Sequence, residues 1–141
     1  METDGKRILS PRQSENKGET MIKQVMIVDD DFVTRYILRD ILETAKYRVV
    51  AEASSAEEAV TKYKEYLPDI VIMDIVLPHK NGLAAVQEIL SLNDHAKIIV
   101  ISVLDNKLLA EAARKLGAVD FIHKPVTPER LLQVMQNQRI M

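Results

Sequence analysis

Aspartate occurs three times in succession, at Asp29, Asp30 and Asp31, and again at Asp74; Ser102 and Lys124 complete a set of groups able to act together. Converging carboxylates repel, by about 4 kcal/mol per pair at 4 Å in a medium of effective dielectric 20, unless a cation joins them. An all-oxygen site with few carboxylates and room for water and phosphate suits Mg²⁺. An ammonium and a hydroxyl neutralise and hydrogen-bond phosphoryl oxygens. A carboxylate at the centre of such a site can itself accept the phosphoryl group, because Asp is a competent covalent nucleophile. Singly, each residue has an ordinary explanation. Asp31 reads as a helix N-cap, Ser102 as a strand-end serine and Lys124 as a solvated lysine. Their joint placement is what points to chemistry.

That placement follows from the hydropathy pattern. Short runs rich in Val and Ile recur at 25–28, 49–51, 70–73, 98–101 and 121–122. The middle runs are continuous rather than alternating, as in strands covered on both faces of a parallel sheet. Between them lie segments of helical period at 32–46, 56–66, 83–91, 105–116 and 128–138. Gly117 stands where a helix C-terminal glycine is expected, and Thr127 before Pro128 reads as an N-cap before a first-turn proline. The pattern is βα repeated five times, which predicts an α/β fold with a parallel sheet and right-handed crossovers. Ligands of such sheets bind at the carboxyl ends of the strands. The aspartates follow runs one and three, Ser102 closes run four and Lys124 follows run five.

The whole chain has 141 residues, 47% hydrophobic and 28% charged, the size and make-up of one globular domain. Its net charge of −2 lacks the electrostatic footprint of a nucleic-acid-coating or membrane-surface protein. Cysteine is absent, which excludes disulfides, thiolate metal sites and thiol nucleophiles. No apolar run approaches the ~20 residues that span a bilayer, and the N-terminus has no apolar signal core, so a cytoplasmic location is expected. Residues 1–20 are polar apart from Met1, Ile8 and Leu9, and 1–23 read as a flexible extension; the patterned domain occupies 24–141.

The stretches VMIVDDD at 25–31, IVIMDIVLPHKNG at 70–82, IIVISV at 98–103 and FIHKP at 121–125 resemble the receiver domain of two-component response regulators. The resemblance covers about residues 24–139. It implies a flavodoxin-like (βα)5 doubly wound sheet of order 2-1-3-4-5. It implies phosphorylation of Asp74, with Mg²⁺ held by Asp29, Asp30, Asp74 and the Val76 backbone carbonyl. Ser102 and Lys124 would contact the phosphoryl group, the Lys124–Pro125 peptide would be cis, and Ser102 and Phe121 would form the switch. Pro78 would stiffen the loop after the acceptor and Gly82 would supply a positive φ. The implied partners are a histidine kinase or histidine phosphotransfer protein as donor and a downstream protein target. The surface of the fourth helix, fifth strand and fifth helix would be remodelled, and it also offers a homodimer contact.

Two departures stand out. Val103 replaces the small residue typical after the switch hydroxyl, which would restrict access to Asp74. Val76 and Leu104 are apolar where many relatives are polar, and neither can orient an attacking water, so slow loss of phosphate is expected. Two other readings stay open. One is a receiver-like module that never carries phosphate. The other is a haloacid-dehalogenase-type phosphatase, with Asp29 as nucleophile and Asp31 as general acid–base. No output domain follows the fifth helix, so the expected output is protein contact.

Overall fold

The computed structural model describes residues 22–104 and 107–138. Apart from Ile22 and Lys23, the expected extension over 1–23 lies outside them. The elements alternate strictly: β1 Gln24–Val28, α1 Phe32–Thr44, β2 Arg48–Ala53, α2 Ala56–Tyr66, β3 Ile70–Asp74, α3 Gly82–Leu92, β4 Lys97–Ser102, α4 Lys107–Leu116, β5 Asp120–His123 and α5 Pro128–Asn137. Five parallel strands form one sheet in the order β2-β1-β3-β4-β5, the flavodoxin-like arrangement.

Period-two side-chain alternation splits the apolar strand runs between two cores. Val25, Ile27, Ile70, Ile72, Ile99 and Ile101 face Leu38 and Leu42 of α1 and Leu131, Val134 and Met135 of α5. Met26, Val28, Val71, Met73, Ile98 and Val100 face α2, α3 and Ala113 of α4. Burial on both faces is why β3 carries no exposed residue. Each fully buried Ile, Leu or Met contributes about 1.5–3 kcal/mol over its exposed state.

Local signals set the helix ends. The Asp31 carboxylate accepts from Val33 and Thr34 N–H, Ser55 Oγ from Glu58 N–H and Thr127 Oγ1 from Arg130 N–H. Gly117 adopts φ 117°, a conformation that favours glycine. The helical period over 105–116 groups Leu108 with Leu109 and Leu116 in one apolar stripe of the fourth helix expected to face the core, but Leu108 departs from it. Its side chain is 75% exposed, while Leu109 and Leu116 pack on the core. Ala113 is the fully buried residue of that helix, so the inward face is narrower than the leucine spacing suggested.

The register brings the chemistry to one edge. Asp74 pairs with Ile101 and Ser102 with His123, so the ends of β3, β4 and β5 lie level. Asp29 continues β1, its N–H donating to the Ala53 carbonyl at the end of β2.

Candidate functional site

Asp29, Asp74 and Ser102 are the buried polar or charged residues among those described. A buried carboxylate needs a compensating partner, and Lys124 supplies one for both. Its Nζ lies 2.8 Å from Asp29 Oδ2 and 3.2 Å from Asp74 Oδ2. Burial opposes the lysine's charge, but the hydrogen bond to Asp29 and the charges of Asp74 and Asp29 outweigh it and raise its pKa. Lys124 reaches this position from the loop after β5, where the Lys124–Pro125 peptide is cis as the resemblance implied.

Asp74 is 3% exposed. Burial, reinforced by the negative charge of Asp29, pushes its pKa to about 6 against the pull of Lys124. Val76 N–H donates to Asp74 Oδ1 at 3.0 Å, and Asp31 N–H donates to Asp29 Oδ1 at 2.9 Å. Each turn after a strand thus returns a backbone donor to the preceding carboxylate. Asp30 is exposed at the mouth.

One carboxylate oxygen from each of Asp29, Asp30 and Asp74 lies within 4.8 Å of the others. Octahedral Mg²⁺ with bonds near 2.1 Å places opposite ligands about 4.2 Å apart, so a small closure accommodates the ion with water completing its shell. Three carboxylates sharing one ammonium also leave an excess of negative charge. The donor set and its charge therefore fit Mg²⁺.

Ser102 is fully buried, and its Oγ accepts from Leu104 N–H at 3.0 Å. The hydroxyl proton remains available for another acceptor. Phe121, on β5, is half-buried and packs against the α4 side of the core. Val76, Val103 and Leu104 are each about half exposed around the site, at 49%, 58% and 48%. Val103 lines an open apolar cleft of about 370 Å³ with Thr34, Ile37, Leu38, Lys124, Pro125 and Val126. A cleft of about 340 Å³, lined in part by Lys23, Asp69 and Lys97, lies at the opposite, amino-terminal edge of the strands.

Gly82 corrects an expectation. Gly117 is the glycine with positive φ among the described residues; Gly82 is needed instead for close approach. A Cβ there would stand 2.1 Å from the Asp74 carbonyl oxygen. His79, in the loop between, adopts φ 68° that its residue type did not announce.

The sequence reading missed Arg35. Its guanidinium donates through Nη1 to the Asp29 carbonyl at 2.7 Å and through Nε to Glu52 at 2.9 Å. Its place one turn after the aspartate run was the available signal.

Residues 25–136 match the response regulator receiver domain. The chain is 46% identical over 115 residues to the chemotaxis protein CheY of Thermotoga maritima, covering 82% of this chain and 96% of that protein. It is 39% identical to the chemotaxis protein CheY of Bacillus subtilis over the same shares. Among solved structures it resembles a chain of the CheX–CheY–BeF3–Mg complex from Borrelia burgdorferi, with a TM-score of 0.82 and 31% identity, over 84% of this chain and 90% of that one.

Proposed function

The chain belongs to the response regulator receiver family, and on that premise we propose that it is a signalling module switched by phosphorylation of Asp74. The observation that supports this most directly is the pair of buried carboxylates, Asp29 and Asp74, bridged by one ammonium at the carboxyl edge of the sheet.

In the proposed reaction an Asp74 oxygen forms a bond to phosphorus as the donor's phosphorus–nitrogen bond breaks, and the donor imidazole keeps the electron pair. With an acyl phosphate the leaving group is a carboxylate oxygen. When bound, Mg²⁺ would supply positive charge that offsets the carboxylates and the entering phosphoryl group. Asp29, Asp30, Asp74 and the Val76 carbonyl are the groups proposed to hold it. Lys124 pairs with a phosphoryl oxygen, and Ser102 donates its hydroxyl proton to another. That movement of Ser102 opens space that Phe121 fills, and the surface of α4, β5 and α5 changes with it. Phosphorylation adds about −1.5 to −2 of charge at this edge, enough to bias such a two-state element.

Ile37 of α1 lines the cleft beside Lys124, and with Phe32, Val33 and Tyr36, also exposed on that helix, it offers an apolar landing area for a histidine kinase or phosphotransfer protein. Output goes to a downstream protein through the α4–β5–α5 face, which also serves a homodimer. The proposed place of action is the cytoplasm; no helix among the described residues is long and apolar enough to cross a membrane. The phosphatase alternative loses support. Asp31, its general acid–base, spends its carboxylate on capping α1, and the Thr34 side chain holds its pKa below the usual value. A general acid needs the opposite shift.

Incubation with Mg²⁺ and a small acyl phosphate, followed by intact mass and peptide mapping, tests the proposal. One phosphoryl group on Asp74, lost in Asp74→Asn and with chelator, is the expected result. A folded protein that takes up none is a phosphate-independent module. The same assay reads Leu104→Glu. A carboxylate on that half-exposed position can orient water toward the phosphoryl group, so dephosphorylation is expected to speed up by roughly tenfold, short of the ~10²–10⁴-fold of a fully positioned general base. An unchanged half-life removes the account of slow phosphate loss.

A further inference from the structure

We infer that Arg35 is a positioning residue for the metal site: by holding the Asp29 carbonyl it fixes the peptide that joins the two carboxylates of Asp29 and Asp30. The inference rests on the reading of those aspartates as Mg²⁺ ligands.

The Asp29 carbonyl lies just beyond β1, on a fully buried residue. A buried carbonyl at a strand end needs a donor. Arg35 reaches back from the first turn of α1 and supplies it at 2.7 Å. The guanidinium is itself held from several sides. Glu52, on β2, accepts from Nε at 2.9 Å, and the plane sits 5.8 Å from the Phe32 ring centroid. Glu52 is anchored in turn. Arg39 pairs with its second carboxylate oxygen at 2.7 Å, and Lys62 donates to its backbone carbonyl at 2.6 Å. A planar fork can serve two acceptors in fixed directions, which a flexible ammonium cannot.

That carbonyl belongs to the one peptide plane between the two carboxylates. Its orientation is governed by ψ of Asp29 and φ of Asp30, the same torsions that decide where the two side chains diverge. Two other groups of the segment are already held: Asp29 N–H is on Ala53, and Asp29 Oδ1 is on Asp31 N–H. Arg35 adds a third tie to the turn. Such supports behind ligating carboxylates tune metal sites strongly.

Electrostatics and positioning make opposite forecasts, which gives a clean test. Arg35 is a cation near a cation site, so its charge alone opposes Mg²⁺. If charge were its whole effect, Arg35→Gln would tighten Mg²⁺ binding. If it positions the turn, Arg35→Gln weakens Mg²⁺ binding, by about tenfold on the scale of outer-sphere ligand supports. The experiment is calorimetric titration of the full chain with Mg²⁺ alone, beside thermal unfolding in chelator and the acyl-phosphate reaction at saturating Mg²⁺.

The expected pattern has four parts. Arg35→Gln raises the Mg²⁺ dissociation constant about tenfold, with the phosphorylation rate at saturating Mg²⁺ changed by less than about threefold. Arg35→Lys recovers only part of the affinity. Glu52→Gln, which leaves Arg35 in place but unclamped, weakens binding by less than Arg35→Gln. Arg39→Gln, which touches only the outer pair, leaves it unchanged. Unchanged or tightened Mg²⁺ binding in Arg35→Gln, or in Glu52→Gln should the first variant not fold, overturns the inference. So does Arg39→Gln weakening binding as much as Arg35→Gln. A wild-type chain that titrates no Mg²⁺ fails earlier and for a different reason, since it removes the metal site itself.

Discussion

Asp74→Asn is expected to make the metal-free protein more stable while abolishing its phosphorylation. The Asp74 carboxyl is pushed up to about 6, first by burial and then by Asp29, whereas in the unfolded chain it titrates near 3.8. Below pH 4 both states hold the proton and the site costs nothing. Between about pH 4 and 6 the native state keeps a proton that the unfolded state loses, so stability falls as pH rises through that window and stays lower above it. A shift of this size corresponds to at most about 3 kcal/mol at pH 7. The attraction to Lys124 is already contained in that pKa, so up to about 3 kcal/mol remains in favour of Asn. Urea unfolding in chelator at pH 4 and pH 7 checks both points. The wild type should lose stability between the two and Asp74→Asn should lose much less. Excess Mg²⁺ should narrow the gap, because it stabilises the ionised wild-type site by mass action. A variant less stable than wild type at pH 7 in chelator would mean that Lys124 more than neutralises the pair.

Gly82→Ala is expected to be the most damaging small substitution in the chain. An added methyl would meet the Asp74 carbonyl oxygen at 2.1 Å, Ile75 Cα at 2.8 Å and the Asp74 carbonyl carbon at 2.9 Å. All three are backbone atoms with no side-chain freedom to yield. Overpacking of this kind costs typically 1–3 kcal/mol and occasionally more, and here a loss of about 3 kcal/mol is expected. The backbone that must give is that of the proposed acceptor, so phosphorylation by acyl phosphate should fall along with stability. Denaturant melts and the acyl-phosphate assay read the two effects separately. A variant with wild-type melting and labelling would show that α3 can shift away from the β3 turn without consequence. At Gly117, by contrast, the nearest neighbour of an added methyl is the end of the Leu90 side chain, which can turn aside, and the cost of a substitution lies in the positive φ instead.

The sequence made the scaffold legible because local physics dictates it. Five Val- and Ile-rich runs of strand length, separated by amphipathic segments, leave few alternatives to a covered parallel sheet. The caps at Asp31 and Thr127 and the end at Gly117 were readable for the same reason. Asp29, Asp74, Ser102 and Lys124 gathered at one edge because each directly follows or closes a strand. What resisted reading depends on partners distant in the chain. The Arg35–Glu52 pair spans 17 residues and two element types, and no local pattern marks it. Gly82 matters for its distance to a backbone eight residues earlier, which sequence shows only as a glycine in a loop. Leu108 sits in an apolar stripe yet outside the core, because the stripe of α4 is wider than the face it presents to the sheet. Left-handed backbone at Lys46 and Leu67 likewise follows from how their helices end against the next strand, at residue types that seldom adopt it.

The ammonium between the two buried aspartates comes from 95 residues beyond Asp29 and 50 beyond Asp74. During synthesis both carboxylates leave the ribosome well before it. A nascent chain that has assembled β1, β2 and β3 holds both carboxylates without the ammonium that bridges them in the finished protein. Closure of β5 at the sheet edge delivers the missing charge, so the last strand to emerge completes the electrostatic balance of the first.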